Sequence, residues 1–266
     1  MWKKNVIKNL KIGVLGGTKS TLISLETLKN NNFNNLEIFY YVPIKQKHKV
    51  EYCNLKKEFN FKDYKYCKFT KIKSIEKKLI KNKYDILICI GLTQLISKNI
   101  IKNTKYGCLG FHPSNLPEGK GRSAVAWNIL KKKKYRVTFF KIDDKIDNGK
   151  ILIKSKFGPS NLDANNYYKR IYNDIKNLLI PSIKRLLINK NTKALKDKKK
   201  EFYALRSYGD GFINFLDNKK DIMSLIKASS FPHPGAYACF QNKKYIVNIL
   251  KDKKNNTKFY AVPGTI

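Results

Sequence analysis

The chain has no apolar run near the ~20 residues that cross a bilayer as a helix, so no membrane span is expected in its 266 residues. Behind the basic start Met1-Trp2-Lys3-Lys4-Asn5 there is no long apolar stretch with a small-residue cleavage site, so no secretory signal is expected either. Cysteine is scarce: Cys53, Cys67, Cys89, Cys108 and Cys239 are scattered, odd in number and never spaced C-x-x-C. Their spacing indicates neither a disulfide framework nor a zinc site, and a reduced, cytoplasmic setting is the expectation. Acidic residues are few, 19 against 56 basic ones, for a net charge of +37. Arginine is rarer still, with Arg122, Arg136, Arg170, Arg185 and Arg206 alone among many lysines. A surface built to grip nucleic acid leans on the bidentate guanidinium. Lysine spread evenly beside abundant isoleucine and asparagine reads instead as AT-rich codon usage, although an anionic substrate suits either origin.

What is present supports a packed core, since 42% of residues are hydrophobic. Residues 11–17 read as a buried strand ending in a glycine turn, followed by a helix with Leu22, Leu25 and Leu28 on one side and Thr18 or Ser20 as its cap. Residues 36–42, 85–91, 107–111 and 136–142 read as further strands, and 123–130 and 165–188 as helices, the second kinked or broken by Pro181. This alternation predicts an α/β fold: a Rossmann-like, mostly parallel twisted sheet with helices on both faces. The expected organisation is a main domain over 1–190, a lysine-rich linker over 191–201 and a small C-terminal α+β subdomain over 202–266. In that tail 221–228 reads as a helix, and 236–240 and 245–250 as strands joined by a turn at 242–244. The turn Gly16-Gly17-Thr18 has neither G-x-G-x-x-G spacing nor a following G-K-[ST]. It is either a tight strand-to-helix turn or an anion site at a helix N-terminus.

Chemistry concentrates in Gly110-Phe111-His112-Pro113-Ser114-Asn115-Leu116-Pro117-Glu118-Gly119-Lys120-Gly121-Arg122. A histidine at a strand end is followed by a loop stiffened by prolines and opened by glycines, and reactive groups in open α/β sheets collect at the carboxyl ends of strands. Further on, another strand leads into Asp143-Asp144-Lys145-Ile146-Asp147-Asn148-Gly149, a loop from which a carboxylate can orient an imidazole. His48 and His233 read as structural, Trp127 as packing, and Asp143 and Asp144 as solvated loop charges. No cluster of metal ligands is seen.

These pieces resemble the folate-dependent formyltransferase family, which includes methionyl-tRNA, glycinamide ribonucleotide and sugar-nucleotide formyltransferases. The resemblance rests on His112-Pro113-Ser114 with Leu116-Pro117, on Gly119, Gly121, Trp127 and Leu130, and on Asp147-Asn148-Gly149 with Ile151-Leu152. It extends over Tyr84-Asp85-Ile86-Leu87 through Gln94-Leu95-Ile96 and, in the tail, over Arg206, Gly209-Asp210-Gly211 and Pro232-His233-Pro234-Gly235-Ala236. It implies formyl transfer from N10-formyltetrahydrofolate to an amine, with His112 at the developing oxyanion and Asp147 holding the imidazole and helping to take the amine proton. It also implies Gly91, Leu92, Gln94, Lys145 and Ile146 around the folate, and Gly17, Thr18, Pro117, Gly119, Arg122 and Arg206 around the acceptor. The expected acceptor is a nucleotide-linked amino sugar, with tRNA second because the tail is shorter than in the tRNA enzymes. A non-catalytic nucleotide- or RNA-binding module is the other alternative, and a homodimer is the expected assembly for a sugar enzyme. The chain departs from the family at Gly110, where an asparagine usually contacts the formyl oxygen. Gln94, Asn115 or a water stand as candidates for the missing donor.

Overall fold

A computed structural model describes residues 8–43, 50–188, 201–251 and 257–264. The N-terminal segment 1–5, His48 and nearly all of the expected linker 191–201 lie outside the described residues. The chain first lays down β1 (Ile12–Gly16), α1 (Lys19–Asn30), β2 (Leu36–Tyr41), α2 (Leu55–Glu58), β3 (Lys65–Phe69), α3 (Ile72–Lys81) and β4 (Ile86–Cys89). There follow α4 (Lys98–Lys102), β5 (Gly107–His112), the two-residue β6 (Lys120–Gly121), α5 (Ala124–Leu130), β7 (Thr138–Ile142), β8 (Gly149–Lys154) and α6 (Ala164–Ile188). The last part holds β9 (Phe202–Tyr203), α7 (Lys219–Ser229), β10 (Ala236–Phe240), β11 (Lys243–Lys251) and β12 (Thr257–Pro263).

Seven strands make one sheet in the order β3-β2-β1-β4-β5-β7-β8. The first five are parallel, and β7 and β8 close the edge antiparallel. Strands β1 and β4 carry only buried residues, as central strands covered on both faces must. Ile12 and Val14 face one cluster, completed by Leu22, Leu25 and Leu28 of α1 and Ile171, Ile175, Leu179 and Ile183 of α6. Leu15, Phe39 and Leu87 face the other, completed by Ile75 and Leu79 of α3 and Ile100 of α4. The chain reverses its direction of travel across the sheet between β1 and β4, and open α/β sheets bind their ligands at the carboxyl ends of the strands beside such a reversal.

Pro181 does not break α6 into two: one helix of 25 residues runs through it. Pro181 sits on the exposed side, and the carbonyl it leaves without a helical donor belongs to Asn177, also exposed to water. The C-terminal hairpin turns at Gln241 and Asn242, both at positive φ, rather than over 242–244. Beneath the three-stranded sheet β10-β11-β12, Ile213, Ile222, Ile226, Ala236 and Val247 form a small separate cluster. Among the described residues, no helix is long and apolar enough to cross a membrane.

Candidate active site

His112 ends β5 and is buried. Its Nε2 lies 2.8 Å from the Gly119 carbonyl oxygen. A carbonyl oxygen can only accept, so Nε2 carries a hydrogen and the remaining nitrogen, Nδ1, is the one able to exchange a proton. Nδ1 faces Asp147 Oδ2 at 3.5 Å, within ion-pair range but longer than a full hydrogen bond. The orienting partner of the ring is thus the Gly119 carbonyl, whereas the sequence reading gave that task to Asp147.

The loop between His112 and α5 is tied down at nearly every turn. The Pro113 carbonyl accepts from Asn128 Nδ2 at 2.9 Å and from the Tyr167 hydroxyl at 3.1 Å. Thr138 donates its hydroxyl to the Ser114 carbonyl at 2.7 Å, and Ser114 Oγ donates to the Glu118 carbonyl at 2.8 Å. Gly119 and Gly121 sit at φ 66° and 103°, a region costly for other residues. A Cβ on Gly121 would lie 2.4 Å from the Tyr203 carbonyl oxygen. Asp147 is also left-handed, at φ 42°, and its Oδ2 accepts from the Gly121 amide at 2.8 Å. Between the two glycines Lys120 is only 1% exposed, and its ammonium donates to Asn148 Oδ1 at 2.7 Å. The sequence reading gives Lys120 no role of its own and names Asn148 only as the middle residue of Asp147-Asn148-Gly149; the signal was there in the lysine between two glycines.

Gly110 pairs with Phe140 across β5 and β7. A Cβ on Gly110 would lie 2.7 Å from Phe140 Cζ and 2.8 Å from Ile142 Cγ1. The volume a side chain would need there is filled by an aromatic ring. Gln94 is committed elsewhere: its Oε1 accepts from the Ile72 amide at 2.8 Å and its Nε2 donates to the Thr70 carbonyl at 2.7 Å. It ties the loop after β4 to the start of α3. Asn115 Oδ1 accepts from Lys154 Nζ at 2.9 Å.

Gly91, at φ 73°, and Leu92 follow β4, and Thr21 of α1 donates its hydroxyl to the Ile90 carbonyl at 2.7 Å. Lys145 and Ile146 stand exposed on the loop before Asp147. The two loops are bridged by Lys98 and Asp144 at 2.7 Å, an ion pair whose hydrogen bond raises the lysine pKa and lowers that of the carboxyl. Asp143 accepts from Asn148 Nδ2, so it is an anchor of the loop rather than a solvated charge. At the start of α1 the expected anion position holds an internal carboxylate. Glu51 accepts from the Ser20 amide at 2.9 Å and from its hydroxyl at 2.5 Å, and the Lys19 amide bonds the Glu51 carbonyl. Burial pushes the Glu51 carboxyl up to about 7 against the lowering effect of Ser20 and Tyr172.

Of the other expected acceptor residues, Pro117 and Gly119 lie on the His112 loop and Arg122 is exposed just after it, its amide bonded to the Tyr203 carbonyl at 2.9 Å. Arg206 lies over the Trp127 ring at 5.3 Å and donates to the Asp210 carbonyl, and burial lowers its pKa. Trp127 packs on Tyr203 and donates Nε1–H to the Ala204 carbonyl at 2.8 Å. His233 bonds the Ala228 carbonyl, and burial holds its imidazole below the usual pKa.

The sequence model of the formyl transferase family matches residues 12–183. A methionyl-tRNA formyltransferase of Malacoplasma penetrans (strain HF-2) is 27% identical over 270 residues, spanning 99% of this chain and 84% of that protein. In fold, a sugar N-formyltransferase from Shewanella sp. FDAARGOS_354 superposes with a TM-score of 0.68 at 16% identity, covering 96% of this chain and 98% of that one. An N-formyltransferase from Helicobacter canadensis, solved with folinic acid and dTDP-3-aminofucose, gives 0.67 at 19% identity over 91% of this chain and 89% of its own.

Proposed function

Since this chain belongs to the formyl transferase family, we propose that it moves a formyl group from N10-formyltetrahydrofolate to the primary amine of a nucleotide-linked amino sugar. The observation that carries the reading is the pairing of His112 Nδ1 with Asp147 at 3.5 Å while Nε2 is held by Gly119. Only one nitrogen is left to work, and it faces a carboxylate across a gap. The folate, when bound, supplies the formyl carbon that the amine attacks. The chain's surface suits such a donor: Leu92 and the 46% exposed Ile146 offer apolar contact for a flat ring, and Lys145 offers charge to a carboxylate tail.

Protonated at Nδ1, His112 donates to the oxygen on which negative charge grows as the amine attacks. Asp147, adjacent and ionised, stabilises that imidazolium and accepts a proton from the attacking nitrogen. The proton held at Nδ1 is then available to the departing nitrogen. The Gly119 carbonyl and the Gly121 amide hold ring and carboxylate in place throughout. A nucleotide-linked acceptor is favoured by the fold likeness to sugar enzymes that covers nearly the whole chain, and by the positive surface. The test is formyl transfer from labelled formyl-folate to a panel of nucleotide-linked amino sugars, methionyl-tRNA and glycinamide ribonucleotide. Turnover with an amino sugar, lost in His112→Asn, is the expected result; no turnover with any acceptor would leave a binding module. Methionyl-tRNA is the second reading, supported by the Malacoplasma match along 99% of the chain.

A further inference from the structure

A lysine ammonium is among the costliest groups to bury, and natural chains rarely do so without a purpose. Lys120 is 1% exposed. Its Nζ donates at 2.7 Å to Asn148 Oδ1, and Asn148, itself 6% exposed, passes the contact on by donating Nδ2–H to Asp143. The cation is thus linked through one buried amide to an anion at the start of the Asp147 loop. The neighbours of Lys120 address the two reactive groups directly: the Gly119 carbonyl holds His112 Nε2, and the Gly121 amide holds Asp147 Oδ2. Three consecutive residues therefore touch the imidazole, the carboxylate and the residue next to that carboxylate.

We propose that Lys120 is a positioning residue that sets the separation of His112 and Asp147, by fastening the loop that carries Asp147 to the segment Gly119–Gly121 that holds both of their backbone partners. The inference rests on the formyl-transfer reading of the site. Without the lysine, the loop keeps its own hairpin base between β7 and β8, the Gly121 contact and the exposed Lys98–Asp144 pair. Exposed pairs of that kind hold geometry weakly. Asp147 sits in a left-handed conformation that its surroundings must enforce, so a slack loop lets it relax away from Nδ1.

The test uses Lys120→Met, Lys120→Arg, Asn148→Ala and the Lys120→Met/Asn148→Ala double variant of the full chain. Lys120→Met is expected to lower kcat about 10- to 100-fold, the effect of roughly an ångström of misplacement, while KM for donor and acceptor stays within about threefold. Lys120→Arg restores most of the rate, and the double variant is no slower than Lys120→Met, because both changes cut one tether. A second readout is independent of turnover. Side-chain 15N–1H spectra of His112 in the unliganded protein should show a single fixed tautomer in the wild type and exchange-broadened signals in Lys120→Met. Wild-type rates and an unaltered His112 spectrum in Lys120→Met overturn the proposal, as do independent, multiplying losses in the double variant. If Lys120→Met does not fold, Asn148→Ala decides by the same measures. If the wild type transfers no formyl group, the function reading fails, and the spectra alone judge the positioning role.

Discussion

At residue scale, the substitution of Gly110 for the family's asparagine is coupled to Phe140. Restoring the asparagine alone places its Cβ 2.7 Å from the Phe140 ring. Overpacking of that kind costs about 1–3 kcal/mol, so Gly110→Asn is expected to be less stable and no faster. Combined with Phe140→Ala, the new side chain gains room, and the double variant should lose less stability than the two singles summed, by about 0.5–3 kcal/mol. Urea unfolding of the four proteins reads the coupling, and strict additivity would show that the ring is not what excludes the side chain. Glu51 makes a second residue-scale prediction. Its folded pKa of about 7 lies above the ordinary 4.5, so the folded state binds the extra proton between those values. Stability contributed by that proton is full below pH 4.5 and is lost as pH rises towards 7, by at most about 3 kcal/mol. Thermal melts at pH 5 and 7.5 should therefore show a smaller pH dependence in Glu51→Gln than in the wild type; identical slopes would mean that Glu51 is not the group titrating.

At the scale of elements, the two-residue strand β9 does more than its length suggests. It lies parallel to β6, and the Tyr203 carbonyl accepts from the Arg122 amide at 2.9 Å. The Tyr203 ring lies 2.6 Å from where a Gly119 Cβ would stand, and its hydroxyl donates to Asn128 Oδ1 at 3.1 Å. The tail thus braces the loop after His112 from behind. Tyr203→Phe loses one buried hydrogen bond, about 1 kcal/mol. Tyr203→Ala leaves a cavity behind Gly119, costs about 3–5 kcal/mol and should lower kcat even at temperatures where the variant stays folded. Full activity of folded Tyr203→Ala would remove β9 from the machinery. None of this could be read from Phe202 and Tyr203 in sequence, because two residues carry no periodicity. Strand β3 escaped for a related reason: Lys65-Tyr66-Cys67-Lys68-Phe69 has no period-2 alternation and lies at a sheet edge, where exposed lysine discourages further pairing. The central strands were legible because continuous apolar runs have few other homes. That His112 and Asp147 would meet was legible from the loops around them, while Lys120 was hidden by its own chemistry, since a lysine in this chain reads as surface.

At the scale of the whole molecule, the charge of +37 decides between acceptors by how it behaves in salt. Each phosphate neutralised by a lysine or arginine releases about 0.7–0.9 of a counterion. A nucleotide-linked sugar offers a diphosphate, so its kcat/KM should fall no more than about tenfold between 50 and 200 mM salt. A tRNA held through 6–10 phosphates should lose roughly 10³–10⁵ over the same interval. Some exposed lysines already pair with local carboxylates, as Lys98 does with Asp144 and Lys78 with Glu37. The described arginines are mostly engaged within the chain: Arg136 stacks on Phe157, Arg185 bonds the Leu152 carbonyl and Arg206 lies over Trp127. A positive surface with so few arginines, most of them already engaged within the chain, attracts anions in general with little of the forked contact that grips a phosphate backbone. The expected outcome is a shallow salt dependence with the amino-sugar acceptor and slow transfer to methionyl-tRNA at any salt. Efficient formylation of methionyl-tRNA with the steep dependence of a many-phosphate interface would reverse the assignment of the acceptor while leaving His112 and Asp147 with the same chemistry.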